Sequence, residues 1–466
     1  MKPFPDNMPQ QSHTLNNNIY NNCFIVGDAV QCSGACEPSI TTILVADIIC
    51  ILPNGDSQEI YTILFVQKEA VPAIPLPKVE RVHVKTALPT ALSKFLLIDI
   101  PKHLCYPTEC HAIISTGSGT GTAQELFNSL RQTLAWIGLD QYKVHETQSP
   151  QTITELCHST FIPRAEAGIP QTIVLISGDG GLCDIIDSFH GTPKHIRTTP
   201  NIALFPAGTG NAMASSTGLL DHPKTAIMAL LQGNPSPLPV FAATFSQGAR
   251  YSHNGQTQST TGNNSRGLKI HGSVVASWGI HAALVADSDT VEYRKFGADR
   301  FKMAAKELLF PSDGSEAHKY NGTLTLLKQD GQNRMEREIV IEHKQHVYVL
   351  ATLVSNLEKE FRISPLSVPL DGSFRIVRFG PISSQRVMQL LSAAYQDGQH
   401  VRDSDVMYSE IQGFLIHFHE VNEKWRRVCI DGRVVIVEEN GWMNVHKEKR
   451  SLVNILMPEL LHHNKN

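Results

Sequence analysis

The chain has 466 residues, and 40 Lys and Arg against 44 Asp and Glu give it a formal net charge of −4. Hydrophobic residues make up 41% and charged residues 18%, which is typical of a folded globular protein. This balance provides no broad cationic surface, so we expect no nucleic acid among its partners. No apolar run reaches the roughly 20 residues of a membrane-spanning helix, which favours a soluble or peripheral protein.

The nine cysteines are an odd number spread over a long chain. The first residues are polar and rich in Asn and Gln, unlike a secretory signal. We therefore expect a cytoplasmic protein with reduced thiols. The close pairs Cys32/Cys36 and Cys105/Cys110 do not have a spacing that is diagnostic of zinc, so no metal ligand is assigned.

The N-terminal part of the chain reads as a polar tail followed by a β-rich extension. Residues 1–19 have the composition of a disordered segment, and residues 20–106 contain short β-like runs separated by turn residues. The runs are Ile43–Leu52, Ile60–Val66 and Phe95–Ile100. They predict an antiparallel β-rich extension.

A strand, a glycine turn and a helix follow one another three times in residues 107–232. The predicted strands are 112–114, 172–176 and 201–205, each followed by glycines and an amphipathic segment. This alternation is typical of a parallel α/β sheet. The sequence therefore predicts an α/β nucleotide-binding domain here.

The remaining residues, 233–466, are strand-rich and predict an antiparallel, sandwich-like domain. Within it, residues 247–267 form a polar insertion rich in Gly, Ser, Thr and Asn, which we expect to be disordered. We expect the last segment to return to the α/β domain. The fold class is thus α/β plus β, with a β-rich N-terminal extension.

The glycine clusters lie where strands end and helices begin, which is where backbone N–H groups bind phosphate. The first cluster, Gly117–Gly121, is not a P-loop because no Gly-Lys-Ser/Thr follows. The second is Ser177-Gly178-Asp179-Gly180, and the third is Gly208-Thr209-Gly210. Three clusters favour a polyphosphate ligand. Tight turns alone would also explain the glycines, and Asp179 could simply cap the next helix.

The segments Ile176–Asp184 and Pro206–Ala214 contain the second and third clusters. Together they resemble the diacylglycerol-kinase-like catalytic domain of lipid kinases, most closely its sphingosine-kinase branch. Further motifs follow in that family's order and extend the resemblance from about His111 to Pro458. They are Ser277–Gly279, Asp287–Phe301, Asp371-Gly372, Gly398–His400 and Cys429–Gly432.

The resemblance implies an ATP-dependent kinase acting with Mg²⁺ on a lipid hydroxyl, preferably that of a sphingoid base, at a membrane surface. Asp179 would accept the hydroxyl proton, and Asp287 would bind the sphingoid ammonium unless it only caps the helix of Tyr293 and Arg294. The implied ATP-binding residues are Ser115, Thr147, Ser177, Gly178, Gly180, Gly208, Thr209, Gly210, Arg294, Arg300 and Asp431. Because they come from both halves, we expect the ATP site in a cleft between the α/β and β-rich parts.

Two departures from the family pattern lie on the nucleotide side. Ser115 and Thr116 replace the usual Asn-Pro and Thr120 the basic residue of the first loop, and Arg433 replaces the usual Glu of an Asp-Gly-Glu motif. They leave open a non-catalytic lipid-binding or scaffold protein. Diacylglycerol or ceramide also remain alternative substrates. An NAD kinase shares the Gly-Asp-Gly loop, but its Asn-Glu motif has no counterpart in the right context here.

Overall fold

A computed structural model describes residues 19–34, 40–54, 60–67, 78–119, 121–253, 256–257, 267–297, 299–329 and 336–458. The chain divides into two compact units, Met1–Asp99 and Ile100–Asn466. The predicted tail at residues 1–19 lies outside the described residues except for its last position.

The first unit is built from β-strands, which confirms the predicted β-rich extension. Its strands are β1 (Ile19–Tyr20), β2 (Asn22–Val26), β3 (Ala29–Ser33), β4 (Ile40–Leu44), β5 (Ile48–Pro53), β6 (Ile60–Gln67) and β7 (Lys78–Lys85), with 3₁₀ turns at Val45–Asp47 and Thr90–Phe95. One sheet has the order β1-β7-β6-β5, and another has the order β2-β3-β4. Alternate apolar side chains, among them Val30, Ile43 and Ile63, form a core of their own.

The second unit begins with alternating strands and helices. They are β8 (Glu109–Ile114), α1 (Ala123–Trp136), β9 (Lys143–Glu146), α2 (Thr152–Leu156), a π-helical turn (Cys157–Phe161), α3 (Ile162–Ala167), β10 (Gln171–Ser177), α4 (Asp179–Gly191), β11 (Asn201–Pro206), α5 (Ala212–Ser216), α6 (Thr225–Gln232) and β12 (Asn234–Pro237), after a 3₁₀ turn at Lys102–Leu104. β10 is buried along its whole length, as expected for a parallel strand covered on both faces.

The rest of the second unit is rich in strands. These are β13 (Phe241–Phe245), β14 (Arg250–His253), β15 (Gln256–Thr257), β16 (Lys269–Gly272), β17 (Val275–Gly279), β18 (Tyr320–Gln329), β19 (Glu336–Val340), β20 (Gln345–His346), β21 (Tyr348–Thr352), β22 (Phe374–Phe379), β23 (Val406–Ile411), β24 (Gly413–Phe418), β25 (Arg427–Ile430), β26 (Arg433–Ile436), β27 (Trp442–Lys447) and β28 (Asn454–Met457). The helices are α7 (Ile280–Ser288), α8 (Val291–Arg294), α9 (Asp299–Leu309) and α10 (Ser384–Ala394), with 3₁₀ turns at Gln399–Arg402 and Glu423–Arg426.

The α/β sheet has the order β12-β28-β11-β10-β8-β9. Neighbours from β28 to β9 are parallel, and β12 runs antiparallel to β28. The chain therefore returns to this sheet after the β-rich part. The parallel sheet confirms the predicted α/β class.

Two antiparallel sheets form the β-rich part, with orders β16-β13-β27-β24-β18-β19 and β15-β14-β26-β25-β17-β21-β22-β23. They pack face to face, because Phe241 of one sheet stacks on Phe374 of the other with ring centroids 5.4 Å apart. Trp278 also contacts Phe418 across the layers. This arrangement confirms the predicted sandwich-like class.

The predicted disordered insertion at 247–267 differs from the structure at its start. Arg250–His253 forms β14, which pairs with β26 through Tyr251↔Val435 and its neighbours. Tertiary pairing overrides a polar composition that favours a loop. Residues 254–255 and 258–266 lie outside the described residues.

Candidate functional site

The glycine turns meet at one edge of the parallel sheet. β8, β9, β10 and β11 are parallel neighbours, so their carboxyl ends lie side by side. β9 lies on one side of β8 and β10 on the other, which makes the gap between β8 and β10 a point where strand order reverses. Ligands of open α/β sheets bind outside the carboxyl ends of the strands at such a point.

Ser118 joins the first two turns across this gap. Its hydroxyl accepts a hydrogen bond from the backbone N–H of Gly178 at 3.2 Å and lies 3.5 Å from the hydroxyl of Ser177. On the other side of β8, the Thr147 hydroxyl accepts from the N–H of Thr116 at 3.1 Å. The turns after β8, β9 and β10 are therefore linked by side-chain hydroxyls.

Gly208 is required by its contacts with the second turn. A Cβ atom there would lie 2.5 Å from the Cα of Gly178 and 2.8 Å from Oδ1 of Asn211. Asn211, in the left-handed region at φ 53°, accepts from the N–H of Gly208 at 2.9 Å and donates to its carbonyl at 2.8 Å. A Cβ at Gly180 would instead meet nothing within 4 Å, so open space adjoins that residue.

Asp179 connects the second and third turns. It is the first residue of α4, and its carboxylate oxygens accept from the backbone N–H groups of Ala212 at 2.7 Å and Met213 at 3.0 Å. Asp179 therefore caps the start of α5, 33 residues further along the chain, and not the helix that follows it directly. Two hydrogen bonds fix the orientation of this carboxylate and leave further lone pairs available.

The pKa of Asp179 is raised from 3.8 to about 6. Desolvation is the largest cause, and the charge of Asp431 adds to it, whereas the hydrogen bonds from Met213 and Ala212 act in the opposite direction. A carboxylate with such a pKa is mostly ionised at neutral pH and is still a competent proton acceptor.

Asp431 lies behind this site and is buried. Asp431 and Gly432 form the left-handed turn between β25 and β26, with φ values of 47° and 85°. The Asp431 carboxylate accepts from the N–H groups of Ser273 at 2.6 Å, Val274 at 3.0 Å and Val275 at 2.6 Å. It also accepts from the thiol of Cys183 on α4 at 3.2 Å, so its partners come from both parts of the second unit. Its role in ATP binding stays a prediction.

Arg433 forms a charge cluster with two acids of α4. Its guanidinium donates to Asp184 at 2.5 Å and to Asp187 at 2.8 Å. Asp187 also accepts from the backbone N–H of His271 at 2.9 Å. Burial opposes ionisation of Asp187, but the His271 hydrogen bond and the Arg433 charge keep its pKa below the usual value. The cluster ties α4, which begins with Asp179, to β16 and β26.

A small cavity of about 10 Å³, room for about one water molecule, lies between the α/β and β-rich parts, next to α5. Met213 and Thr217 line it from one side, and Ser273 and Leu353 line it from the other. The backbone N–H of Met213 is bound by Asp179 and that of Ser273 by Asp431. The two buried carboxylates therefore flank this junction.

Residues 109–243 match the family model of the diacylglycerol kinase catalytic domain. This segment is similar to that domain, and the match covers less than half of the chain. It contains every turn described above except the one formed by Asp431 and Gly432.

Two curated relatives align with part of the chain. Sphingosine kinase B of Dictyostelium discoideum is 32% identical over 130 residues, which are 28% of this chain and 16% of that protein. Sphingoid long chain base kinase 5 of Saccharomyces cerevisiae is 28% identical over 122 residues, 26% of this chain and 17% of that protein. The chain thus spans less than a fifth of the length of either relative.

A crystal structure from Bacillus anthracis str. Sterne, assigned to the diacylglycerol kinases, has a similar fold. Its TM-score is 0.50 at 15% sequence identity, and the match covers 76% of this chain and 98% of that chain. The β-rich part that follows residue 243 is therefore common to both folds.

The two arginines predicted to bind ATP follow the segment that matches the family model. Arg294 ends α8, and its side chain lies outside the described part of the chain. The guanidinium of Arg300, on α9, stacks on the ring of Phe301 at 4.7 Å. Burial raises the pKa of Glu358, and the charge of Lys302 on α9 opposes this rise only in part. The place of both arginines at the phosphates stays a prediction.

Asp287 is paired with a cation. Its carboxylate accepts from Nη1 of Arg427 at 2.7 Å, and the Asp287 side chain is 29% exposed. The cap of α8 is Thr290, whose hydroxyl accepts from the N–H of Tyr293 at 3.3 Å. The alternative that Asp287 caps this helix is therefore wrong, and its role toward a substrate stays a prediction.

Sequence reasoning missed four residues that organise the candidate site. Ser118 was hidden inside a glycine cluster, and Asn211 follows the Gly-Thr-Gly motif directly. Asp184 and Asp187 are three residues apart on α4 and lie on the same side of the helix. Arg433 of the Asp-Gly-Arg motif, where the family has Glu, was the signal that could have led to them, because a cation there needs acidic partners.

Metal ligands are scarce in the described part of the second unit. No group of three His, Cys, Asp or Glu side chains among the described residues could hold a metal ion. Asp179 and Asp431 already accept backbone N–H groups, and Asp184 binds Arg433. These residues do not fit a dedicated magnesium cage. None of the described helices combines the length and apolar character that crossing a bilayer requires.

Proposed function

We propose that this chain is an ATP-dependent lipid kinase that transfers the γ-phosphate of ATP to a lipid hydroxyl, with a sphingoid base as the favoured substrate. The observation that carries the proposal is the Asp179 carboxylate, fixed by the N–H groups of Ala212 and Met213 between two glycine turns. Phosphoryl transfer needs chiefly positioning and charge stabilisation, which this arrangement supplies.

In the proposed reaction, the oxygen of the lipid hydroxyl attacks the γ-phosphorus, and Asp179 accepts the proton of that hydroxyl. The bond between that phosphorus and the β–γ bridging oxygen breaks, and ADP leaves. The pKa of about 6 keeps Asp179 mostly ionised at neutral pH, so it is ready to accept a proton. The two backbone hydrogen bonds hold the carboxylate in place during the transfer.

We place the phosphates of ATP beside the glycine turns, next to Gly180, where a Cβ atom would meet nothing within 4 Å. The backbone N–H groups available there follow β10 and β11, and the hydroxyls come from the turns after β8 and β9. Magnesium would arrive with the phosphates and keep phosphate and water ligands, as Mg²⁺ commonly does in kinases. The residues proposed to contact the nucleotide are Ser115, Thr147, Ser177, Gly178, Gly180, Gly208, Thr209, Gly210, Arg294, Arg300 and Asp431.

Asp287 supports the choice of a sphingoid base, because a carboxylate binds the ammonium that diacylglycerol and ceramide lack. Both curated relatives are named for sphingoid substrates. The ion pair with Arg427 favours the alternative of a neutral lipid, since it already neutralises Asp287. In the sphingoid proposal, the ammonium shares this carboxylate with Arg427.

A membrane surface is the proposed place of action. Three exposed apolar side chains, seven residues apart, lie in α9 or next to its ends. They are Phe296 before the helix, Met303 within it and Phe310 after it, and they are 54%, 40% and 42% exposed. Exposed Lys295 and Lys302 lie in the same segment. An apolar stripe beside lysines fits the surface of an anionic bilayer. We therefore propose a cytoplasmic protein that binds such membranes peripherally.

The deciding experiment measures phosphate transfer from radiolabelled ATP to a sphingoid base, diacylglycerol, ceramide and NAD. We expect the sphingoid base to be labelled by the wild type and by Asp313→Asn, an exposed control whose carboxylate accepts from nearby Ser315. Labelling of NAD alone would contradict the lipid kinase. Equal labelling with and without Asp179 would show that the labelling does not come from this site.

Membrane binding is tested separately by sedimentation with phosphatidylcholine vesicles that contain phosphatidylserine. Met303→Gln combined with Phe310→Gln should reduce the bound fraction several-fold, whereas Val421→Gln, at an exposed apolar position outside α9, should not. Equal binding by all three proteins would refute the α9 surface.

A further inference from the structure

Two cysteines of the first unit face each other across a hairpin. Cys23 of β2 is the register partner of Cys32 of β3, and their sulfur atoms are 3.5 Å apart. Both side chains point into the core of the first unit, where Cys23 is 8% and Cys32 0% exposed. The described cysteines of the chain are all free thiols.

The backbone at this position suits a cross-strand disulfide. The hairpin turns through Gly27 and Asp28, so Val26 and Ala29 close a two-residue loop. Because hydrogen-bonded and non-hydrogen-bonded pairs alternate from that closing pair, Cys23 and Cys32 form a non-hydrogen-bonded pair. Such pairs have Cα atoms about 4.5 Å apart, which is within the range of about 4.4–6.8 Å that disulfides span.

The two thiols differ in reactivity. The Cys32 thiol donates a hydrogen bond to the Cys23 sulfur, which lowers the pKa of Cys23 and raises that of Cys32. By contrast, burial raises the pKa of Cys50, in the same unit, to about 12. Cys23 also lies on β2, an edge strand of its sheet. Cys23 is therefore the thiol that an oxidant meets first.

We infer that Cys23 and Cys32 are a redox-active pair. They form a reversible disulfide with each other by exchange with a low-molecular-weight disulfide such as oxidised glutathione. The Cys23 thiolate attacks one glutathione sulfur, and the first glutathione thiolate leaves. Cys32 then loses its proton, and its thiolate attacks the Cys23 sulfur and releases the second glutathione. Two protein thiols are oxidised by two electrons, and their protons end on the two glutathione molecules.

This inference concerns the first unit alone and does not depend on the proposed kinase activity. The disulfide would hold β2 to β3 covalently and restrict the unfolded first unit. Oxidation should therefore raise the thermal unfolding temperature of that unit while the reduced form keeps the same fold.

The test equilibrates the purified full chain in glutathione buffers of stepwise oxidation, blocks free thiols and maps the cross-link by mass spectrometry. Chymotryptic cleavage after Phe24 separates Cys23 from Cys32, so a linked pair of peptides reports the bond. We expect this link in the wild type, in Cys36→Ser and in Cys50→Ser, and its reversal by reduced glutathione. We expect no link in Cys32→Ser.

Circular dichroism confirms that each variant is folded before the thiols are mapped. A link that persists in Cys32→Ser would overturn the pairing, because Cys36 or Cys50 would then be the partner. Free Cys23 and Cys32 in a folded wild-type protein after equilibration with fully oxidised glutathione would overturn the redox activity itself.

Discussion

The pH dependence of the proposed reaction follows from Asp179. Its pKa of about 6 means that the proton acceptor is lost below this pH, so kcat/KM should fall about tenfold per pH unit in acid. Asp179→Asn removes the acceptor at every pH. We therefore expect turnover about 10²–10⁴-fold below the wild type, together with loss of the acid limb that Asp179 causes.

The stability of this variant can be estimated from the same site. The difference between a pKa of about 6 and the usual 3.8 corresponds to a penalty of about 3 kcal/mol on the ionised form in the folded protein. Asn removes this penalty, but its amide group faces one backbone N–H and leaves it unpaired, which costs about 1–3 kcal/mol. The two effects nearly cancel, so the variant should stay folded at neutral pH.

A salt-bridged carboxylate, whose pKa is lowered by folding, makes a protein less stable as pH falls. Asp179 has the opposite effect on wild-type stability. Because the folded pKa is above the unfolded one, the Asp179 contribution favours folding increasingly as pH falls from about 6 to 3.8. Urea unfolding of wild type and Asp179→Asn between pH 4 and 7 measures this difference. The variant should lack this gain in acid.

The assay measures initial rates of ATP-dependent lipid phosphorylation from pH 5 to 8, with Asp313→Asn as a control that keeps an exposed, locally bonded side chain. A wild-type rate that stays constant down to pH 5 would refute the idea that Asp179, with its raised pKa, controls the rate in acid. A folded Asp179→Asn protein with more than a tenth of normal turnover would refute the proton-acceptor role and leave Asp179 as the cap of α5.

Three further predictions concern neighbouring residues. Gly208→Ala should lose ATP-dependent thermal stabilisation, because its Cβ would lie 2.5 Å from the Cα of Gly178, whereas Gly180→Ala has free space and should fold normally. Asp287→Asn should lower kcat/KM for a sphingoid base by about one to two decades, the loss of a charge-assisted hydrogen bond, and leave the KM for ATP unchanged. Arg433→Met should lower the urea-derived free energy of unfolding by about 1–3 kcal/mol, since it removes the cation that two half-buried acids bind.

Outcomes that contradict these predictions are equally specific. Normal ATP binding by Gly208→Ala would mean that the second and third turns can separate without loss. Unchanged sphingoid kinetics in Asp287→Asn would remove the sphingoid assignment and leave a lipid kinase of other preference. An Arg433→Met protein as stable as the wild type would mean that water already satisfies the two acids.

The α/β half could be predicted because its signals are local. A buried strand, glycines and an amphipathic helix follow one another within about 30 residues, and parallel strands need such crossovers. The β14 strand could not be predicted, because Arg250–His253 is polar and becomes a strand only by pairing with β26, far along the chain. Its propensity is decided by the neighbour.

The candidate site divides in the same way. The Gly-Asp-Gly motif identified Asp179 from sequence alone, but the cap it provides for α5 depends on how two turns pack. Asp431 was predicted at the nucleotide because of its motif, yet the N–H groups it binds belong to residues 273–275, more than 150 positions earlier. Contacts between distant segments leave no periodic pattern in a single sequence.

The reversed charge at Arg433 bears on whether the kinase domain is active or degraded. In a site that had lost its activity, no functional constraint would keep acidic residues beside the substituted arginine. Here Asp184 and Asp187 both bind the guanidinium, and Asp187 also accepts the N–H of His271. The cluster lies one to two turns beyond Asp179 on α4 and holds that helix against the β-rich part. Arg433 therefore connects the helix of the proposed proton acceptor to the β-rich part, which favours a working enzyme over a scaffold.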